Sequence, residues 1–570
     1  MAVALLFHAN RHFRDPSGQI TRIRRTPTAE GVALGIESDE IAYRHDAAGR
    51  VLSESGINGA VGYEWDALSN LTGLTLPGGQ KLAWLHYGSG HVSAIRFGQQ
   101  LVTEFTRDRL HREVRRTQGA REQLRQYDSL GRRTLQRSEL STDVTLPEQA
   151  LLERLYRYTA RGELSGVSDT LRGEVDYGYD AEGRLLKHYE ARQGHSRAQF
   201  SYDAAVPVTD NRLQHWQALF MKYDHWGNLV SRRNGLYEQH YAYDAENRLV
   251  SARGTGPEGR FEARYHYDAL GRRTRKIVTT THGTTDTRFL WQGYRLLQEQ
   301  QESGLGSTYV YDPNEAWSPL ARVDHLRDQS NGEIYWFNTD LNGAPLEVTD
   351  ERGAVRWSGQ YGSFGEVRHQ SEGFSRVVNR TAMAHQPLRY AGQYADGETG
   401  LHYNLFRYYD PQVGRFIVQD PIGLNGGWNL YQYAPNPLGW IDPWGLSPVS
   451  PKTVLFSQNS INAVFEDGRN VNELIHRLVN DPSYINEIEP IRKVRMRDLP
   501  ENVQERLLSQ GAHKDAVFSL DNRRLYAAKE AGVDKIPSRW ATPEELSKIN
   551  LERRFSTGDG GKSIRTRGCS

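Results

Sequence analysis

Tyr127-Asp128-Ser129-Leu130-Gly131-Arg132 is one copy of a short unit that recurs along the first half of this 570-residue chain. Earlier copies are Tyr43-Arg44-His45-Asp46-Ala47-Ala48-Gly49-Arg50 and Tyr63-Glu64-Trp65-Asp66. Later ones begin at Tyr179-Asp180, Tyr223-Asp224, Tyr243-Asp244 and Tyr267-Asp268, each followed by two residues, Gly or Asn, and Arg or Asn. Successive Asp positions lie 20, 62, 52, 44, 20 and 24 residues apart, so the basic step is near 20 with degenerate units between. Aromatic residues alternate before the Asp, as in Tyr241-Ala242-Tyr243, which places them on one face of a strand. Asp starts a turn by accepting backbone N–H groups, and Gly or Asn supplies the left-handed position. The outgoing residues resume a strand. Each unit is therefore a β-hairpin too small to bury its own face, and copies must stack into a long sheet.

Composition narrows the class. Thirty Tyr, 17 Phe and 12 Trp supply surface worth burying, so the chain is not a disordered one. There is no run of about 20 apolar residues, which rules out a membrane-spanning helix in the sequence pattern. The single cysteine, Cys569, excludes an intramolecular disulfide and a cysteine zinc site. Seventy-one basic residues against 70 acidic ones give no overall basicity pointing to nucleic acid. The start, MAVALLFHANRHF, has no basic residue before its short apolar stretch and does not read as a secretory signal.

The hairpin units resemble the Rhs/YD-repeat family. The resemblance extends through Tyr335 to Pro345 and Leu388 to Tyr394, and is densest from Glu398 to Phe416, in Gln419 to Leu424, in Asn429 to Pro437 and at Asp442 to Leu446. It implies a mainly β protein: a YD-repeat β-shell formed by a spiralling antiparallel sheet (1–330), an Rhs core-associated domain with a self-cleavage motif (331–446), and a small α+β toxin domain (447–570). It also implies a polymorphic toxin that is delivered without a signal peptide into the cytoplasm of a target cell. The implied partners are a cognate immunity protein and a secretion-system spike or adaptor.

Two Asp-Pro pairs, Asp420-Pro421 and Asp442-Pro443, stand 22 residues apart, each followed by x-Gly-Leu. Two carboxylates brought together do not both ionise, so one activates water or an internal nucleophile while the other, protonated, polarises the scissile carbonyl. Both pairs are also ordinary turn starters. In the family this junction is similar to an aspartyl-type self-cleavage site, which carried over here breaks Leu446–Ser447. Arg415 is the candidate to hold a carboxylate or the developing oxyanion.

After Leu446 the character changes. Ser447-Pro-Val-Ser-Pro451 is a linker, and residues 447–570 hold 20 Lys/Arg against 17 Asp/Glu. Val471, Leu474, Ile475 and Leu478 form an apolar helix stripe capped by Asn470. Strands are expected at 490–496, 516–520 and 536–540, with a helix from Arg523 capped by Asp521 or Asn522. Phe518 to Pro537 resembles the ParB/sulfiredoxin-like fold, although Asp521-Asn522 stands where that fold often has Gly-Glu, and the sulfiredoxin cysteine is absent. Arg523 and Arg524 at a helix N-terminus, with Asn522 and Arg469, would cradle phosphate. Asp521 and Glu473 are the candidate catalytic carboxylates. No histidine-metal spacing occurs. No cofactor is named by the sequence, and a divalent metal ion is the one to test for phosphodiester chemistry.

The leading function is thus a toxin that cleaves nucleic acid or acts on a nucleotide. The alternatives are an NAD-consuming ADP-ribosyltransferase, for which Arg554-Phe555-Ser556-Thr557 supplies a start but no later Glu follows, and a non-enzymatic surface adhesin.

Overall fold

The computed structural model describes residues 7–33, 36–88, 90–141, 151–180, 183–190, 196–199, 208–209, 211–235, 237–326, 329–370, 385–423, 429–434, 436–438 and 441–446, and in the remainder 455–456, 460–462, 474, 477–478, 484–485, 490–496, 499–509, 517–530, 536–541, 546, 551, 555 and 565–567. It divides into two compact units. One comprises Met1–Gln419 with Tyr431–Gly445, the other Asp420–Leu430 with Leu446–Ser570.

The repeat turn builds the first unit. At Asp128 the backbone closes through Asp128 N–H to Arg132 C=O at 3.0 Å and Gly131 N–H to Asp128 C=O at 3.0 Å. Asp128 Oδ1 accepts the N–H groups of Leu130 and Arg132, both at 2.9 Å, and Oδ2 pairs with Arg132 Nε at 2.7 Å. Gly131 takes φ +77°, and Asn247 takes φ +60° in the Asp244 copy. The Asp46, Asp180, Asp244 and Asp268 turns repeat the ion pair. The tyrosine has an equally regular task. Tyr127 Oη donates to Glu113 C=O at 2.7 Å, and Tyr158, Tyr243, Tyr267 and Tyr311 reach back to a carbonyl of the preceding hairpin in the same way. The turn arginine of one unit lies over the tyrosine ring of the next, with Arg112 5.0 Å from Tyr127 and Arg132 4.6 Å from Tyr158. Each letter of the motif therefore has a contact within its own turn or with its neighbour's.

Stacking produces two long antiparallel sheets, one of 17 strands from His8–Arg14 to Ser196–Gln199 and one of 15 strands from His215–Trp216 to Val367–Gln370, beside smaller sheets such as the four-stranded one from Tyr394–Asp396 to Arg415–Phe416. Strands pair with their sequence neighbours, and a register shift precedes the turn in hairpin after hairpin, as at Gln126/Tyr127 and His266/Tyr267. The sheets share an apolar cluster that includes Leu82, Ile95, Phe97, Leu297, Val323 and Trp336. They are also tied by buried charge. Arg116 on the first sheet bonds Glu113 and reaches Asp312 on the second, and Arg154 bonds Asp169 and reaches Glu347.

The second unit mixes helix and strand. Its four-stranded sheet runs Leu455–Phe456, Val517–Ser519, Ile491–Arg495, Ser538–Trp540, with only the central pairing antiparallel. Helices cover Glu501–Ser509 and Asn522–Glu530. Val494, Met496, Val503, Leu507, Phe518, Leu520 and Phe555 form the core between them. The expected strands at 490–496, 516–520 and 536–540 coincide with observed ones. The helix at 501–509 and the parallel pair Ser460–Asn462 with Arg565–Arg567 were not expected.

Candidate functional site: the Asp-Pro junction and the second unit

Both Asp-Pro segments are turns. Asp442 C=O accepts Gly445 N–H at 3.3 Å, and Asp420 C=O accepts Gly423 N–H at 2.8 Å. Asp420 Oδ1 also accepts Ile422 N–H at 3.0 Å, while its own N–H donates to Leu430 C=O at 2.8 Å. Both aspartates are buried.

Asp442 is held by a small hairpin. Strands Leu401–Asn404 and Arg407–Asp410 pair antiparallel through a tight turn. From that turn Asn404 Nδ2 donates to Asp442 C=O at 2.9 Å, and Arg407 Nη2 stands 3.5 Å from Asp442 Oδ2. Arg407 is fully buried, with its guanidinium 3.7 Å from the centre of the Phe416 ring. Tyr433 Oη accepts Asp442 N–H at 3.3 Å. Arg415, the arginine singled out from sequence, lies on the adjacent strand. It donates to Asn211 C=O and stacks 5.3 Å from the Tyr431 ring, and burial lowers its pKa. The sequence reading missed Arg407 and Asn404. The signal was present in Asn404-Leu-Phe-Arg407, a turn-forming tetrapeptide whose two ends are polar between buried neighbours. Ser447 lies outside the described residues.

In the second unit, Asp521 precedes the helix at 522–530 and is bound to Arg492. It accepts Arg492 N–H at 2.6 Å, Nε at 3.0 Å and Nη2 at 2.6 Å. Burial alone would raise its pKa. The Arg492 bonds outweigh that and hold the carboxyl below its ordinary value. Asn522 is buried and Arg524 half-buried. The side chain of Arg523, and all of Arg469 and Glu473, lie outside the described residues. Sequence reasoning passed over Lys493. Alternation puts it on the same strand face as Ile491, and it is buried. Desolvation, with Arg495 nearby, pushes its amine down to about 7. Among the described residues no group of three or more His, Cys, Asp or Glu is placed to hold a metal ion, and no helix is long and apolar enough to cross a membrane.

The teneurin YD-shell profile matches residues 126–437, and the Rhs repeat profile matches residues 45–81. This chain belongs to the YD-shell family. It is 43% identical over 467 residues to double-stranded DNA deaminase toxin A of Burkholderia cenocepacia, covering 77% of this chain and 32% of that protein. Toxin protein Tse5 of Pseudomonas aeruginosa is 32% identical over 492 residues, covering 71% and 36%. Probable deoxyribonuclease RhsA of Dickeya dadantii is 28% identical over 392 residues, covering 64% and 26%. The chain thus spans a quarter to just over a third of the length of these curated relatives. The YD-shell match ends at residue 437, so it assigns no chemistry to residues 447–570.

Proposed function

We propose that this chain is an Rhs-type antibacterial effector that breaks its own Leu446–Ser447 bond and releases residues 447–570 as a toxin acting on nucleic acid. The observation that carries the reading is the set of names of the matched relatives: a DNA deaminase toxin, a toxin and a probable deoxyribonuclease. The change of unit after Gly445 supports a separable C-terminal body. The partners are an immunity protein and a secretion-system spike or adaptor, and delivery is into a target cell.

Self-cleavage is assigned to Asp442 and Asp420. One carboxylate takes a proton from water as it attacks the Leu446 carbonyl, and the other donates to the departing Ser447 nitrogen. Burial of both aspartates and the Arg407–Asp442 ion pair support this role for Asp442.

For the toxin, the ParB-like resemblance favours a phosphate cradle at Asn522, Arg523 and Arg524, with Arg469. With Asp521 paired to Arg492, the positive end of the helix dipole and the arginines at that helix start favour an anion. Asp521 serves as a base only if the Arg492 latch opens, and Glu473 is the second candidate. A divalent ion is tested by chelation. Phosphodiester cleavage is the favoured reaction. The test is inducible expression of residues 447–570 in bacteria with inspection of DNA, RNA and NAD. Intact nucleic acid in arrested cells with depleted NAD would replace the nuclease reading by the NAD-consuming one. Growth unaffected by the domain would favour the adhesin.

A further inference from the structure

In the repeat turns the Asp carboxylate is engaged within its own hairpin. Asp108 Oδ1 accepts the N–H groups of Leu110 at 2.9 Å and Arg112 at 3.0 Å, and Oδ2 pairs with Arg112 Nε at 2.8 Å. Where the fourth residue on is Asn, the side-chain amide donates instead, from Asn70 to Asp66 at 2.8 Å and from Asn228 to Asp224 at 3.0 Å. Asp340 opens a turn of the same kind, with Asp340 N–H to Ala344 C=O at 2.9 Å and Gly343 N–H to Asp340 C=O at 3.0 Å. Its fourth residue on is Ala344, which has no polar side chain to offer. Asn342 Oδ1 takes the Ala344 N–H at 3.1 Å, and Asp340 Oδ1 accepts Leu341 N–H at 2.8 Å. Asp350 meets the same deficit at Ala354 and makes it good with Arg356, 3.5 Å away. Asp340 pairs with no Lys, Arg or His among the described residues.

The open carboxylate lines a cavity of about 70 Å³, together with Tyr177, Tyr361 and Tyr390. Tyr177 stands on strand Gly173–Tyr179 of the first long sheet and Tyr361 on Val355–Tyr361 of the second, and the Tyr390 ring stacks 6.0 Å from that of Tyr361. The arginines of this cavity are already matched, since Arg154 and Arg172 each bond Asp169 and Glu347. His188 bonds Ser363 at 2.6 Å and lies 3.2 Å from Glu190. Asp340 is thus left without a counter-charge, and burial raises its pKa. Close to it the Tyr156 hydroxyl is buried with no hydrogen-bond partner. A space of this size admits about five waters, or one ammonium group with the first carbons attached to it. One carboxylate among tyrosine rings suits an organic cation, held by charge on one side and by ring faces on the others. A hard metal ion would need about six oxygen ligands.

We propose that this cavity binds an ammonium group, with Asp340 as its counter-ion and Tyr177, Tyr361 and Tyr390 as its aromatic wall. The ligand class is a primary or methylated amine, free or carried on a lysine side chain. The site lies within the first unit and is independent of cleavage and of the toxin's chemistry.

The experiment uses the full chain and observes n-butylammonium chloride by saturation-transfer NMR, with 1-butanol as the neutral competitor. Butylammonium binds, and 1-butanol does not displace it. Asp340→Asn weakens binding about 10-fold to 150-fold, as loss of one charge-assisted contact does. Tyr177→Leu weakens it about 2-fold to 30-fold. Asp340→Asn also melts no lower than wild type, because it removes an uncompensated charge, whereas a merely structural aspartate would lower the melt by several degrees. A lysine tripeptide with blocked ends separates the sources. Its binding assigns the cavity to a lysine side chain, its exclusion while butylammonium binds assigns it to a free amine, and both uphold the ammonium site. A wild-type chain that does not bind butylammonium, equal binding by Asp340→Asn, displacement by 1-butanol, or a lowered Asp340→Asn melt overturns the proposal.

Discussion

Asp169→Asn tests whether buried charge ties the two sheets together. Asp169 accepts Arg154 Nε at 2.8 Å, Arg172 Nη1 at 3.1 Å, and the N–H groups of Leu171 at 2.7 Å and Arg172 at 2.9 Å. Both arginines also bond Glu347, which is fully buried on the other sheet. Burial pushes the Asp169 pKa up, but Arg154 and Arg172 more than offset this, and it falls from 3.8 to about 2. A depressed folded value gives stability that is complete above the unfolded pKa and is lost as pH falls through the folded one. The shift corresponds to about 2.5 kcal/mol, lost between about pH 4 and pH 2. Asparagine keeps the shape but leaves one carboxylate for two buried guanidinium groups, which costs about 3–5 kcal/mol at pH 7. With a urea slope of about 3 kcal/mol/M, the midpoint drops by about 1 M or more. Trp357, on the strand where Arg172 bonds Ser358 Oγ and Gly359 C=O, reports the transition by fluorescence. An unchanged midpoint at pH 7, or a variant that retains the wild-type loss of stability between pH 4 and 2, would refute the reasoning.

Four further outcomes are expected. Asp442→Asn and Asp420→Asn each leave the full chain uncut on a denaturing gel while its protease-resistant core persists. Arg523→Ala and Arg524→Ala lower toxin affinity for nucleic acid by about 10-fold to 150-fold, with Arg523→Lys between them and wild type, as titration of labelled DNA and RNA would measure. Gly392→Ala lowers stability by more than about 2 kcal/mol in urea melts, because φ is +77° and a Cβ would come within 2.2 Å of the Pro443 carbonyl oxygen. Lys493→Met stabilises the second unit by up to about 4 kcal/mol near pH 7, since a folded pKa near 7 against 10.5 unfolded disfavours folding whenever the unfolded amine is charged. Slower hydrogen exchange of the strand 491–495 would register that gain.

The repeat was legible because its information is local. Tyr, Asp, Gly and Arg act within one turn or on the next hairpin, so spacing alone exposed the β-class and the stacked sheets. The same locality explains what was missed. Asp108 and Thr159 start turns of the same kind, closed by Arg112 and Glu163, but His111 holds the left-handed place at φ +60° in one and a hydroxyl replaces the carboxylate in the other. A search for the letters passes over them, whereas a search for an acceptor followed four residues later by its partner would not. The arginine also does more than lead into the outgoing strand. It pairs backward with its own Asp and forward with the next Tyr ring.

The junction follows a different logic: the sequence points to Arg415, whereas the arginine beside the Asp442 carboxylate is Arg407. Arg407 and Arg415 are both in strands beside aromatic residues, and nothing in their local spacing ranks one above the other as the partner of Asp442. What singles out Arg407 is the nesting of two turns more than 30 residues apart in sequence, Asn404 to Arg407 and Asp442 to Gly445, a contact fixed by the left-handed Leu405 and by the absence of a side chain at Gly445. Long-range contacts of this kind are encoded by shape rather than by pattern. The residues that give them away are the conformational exceptions: a leucine at positive φ, a glycine against a carbonyl, and a buried amide oxygen with no donor. All three lie where the turn at 404–407 meets the turn at 442–445.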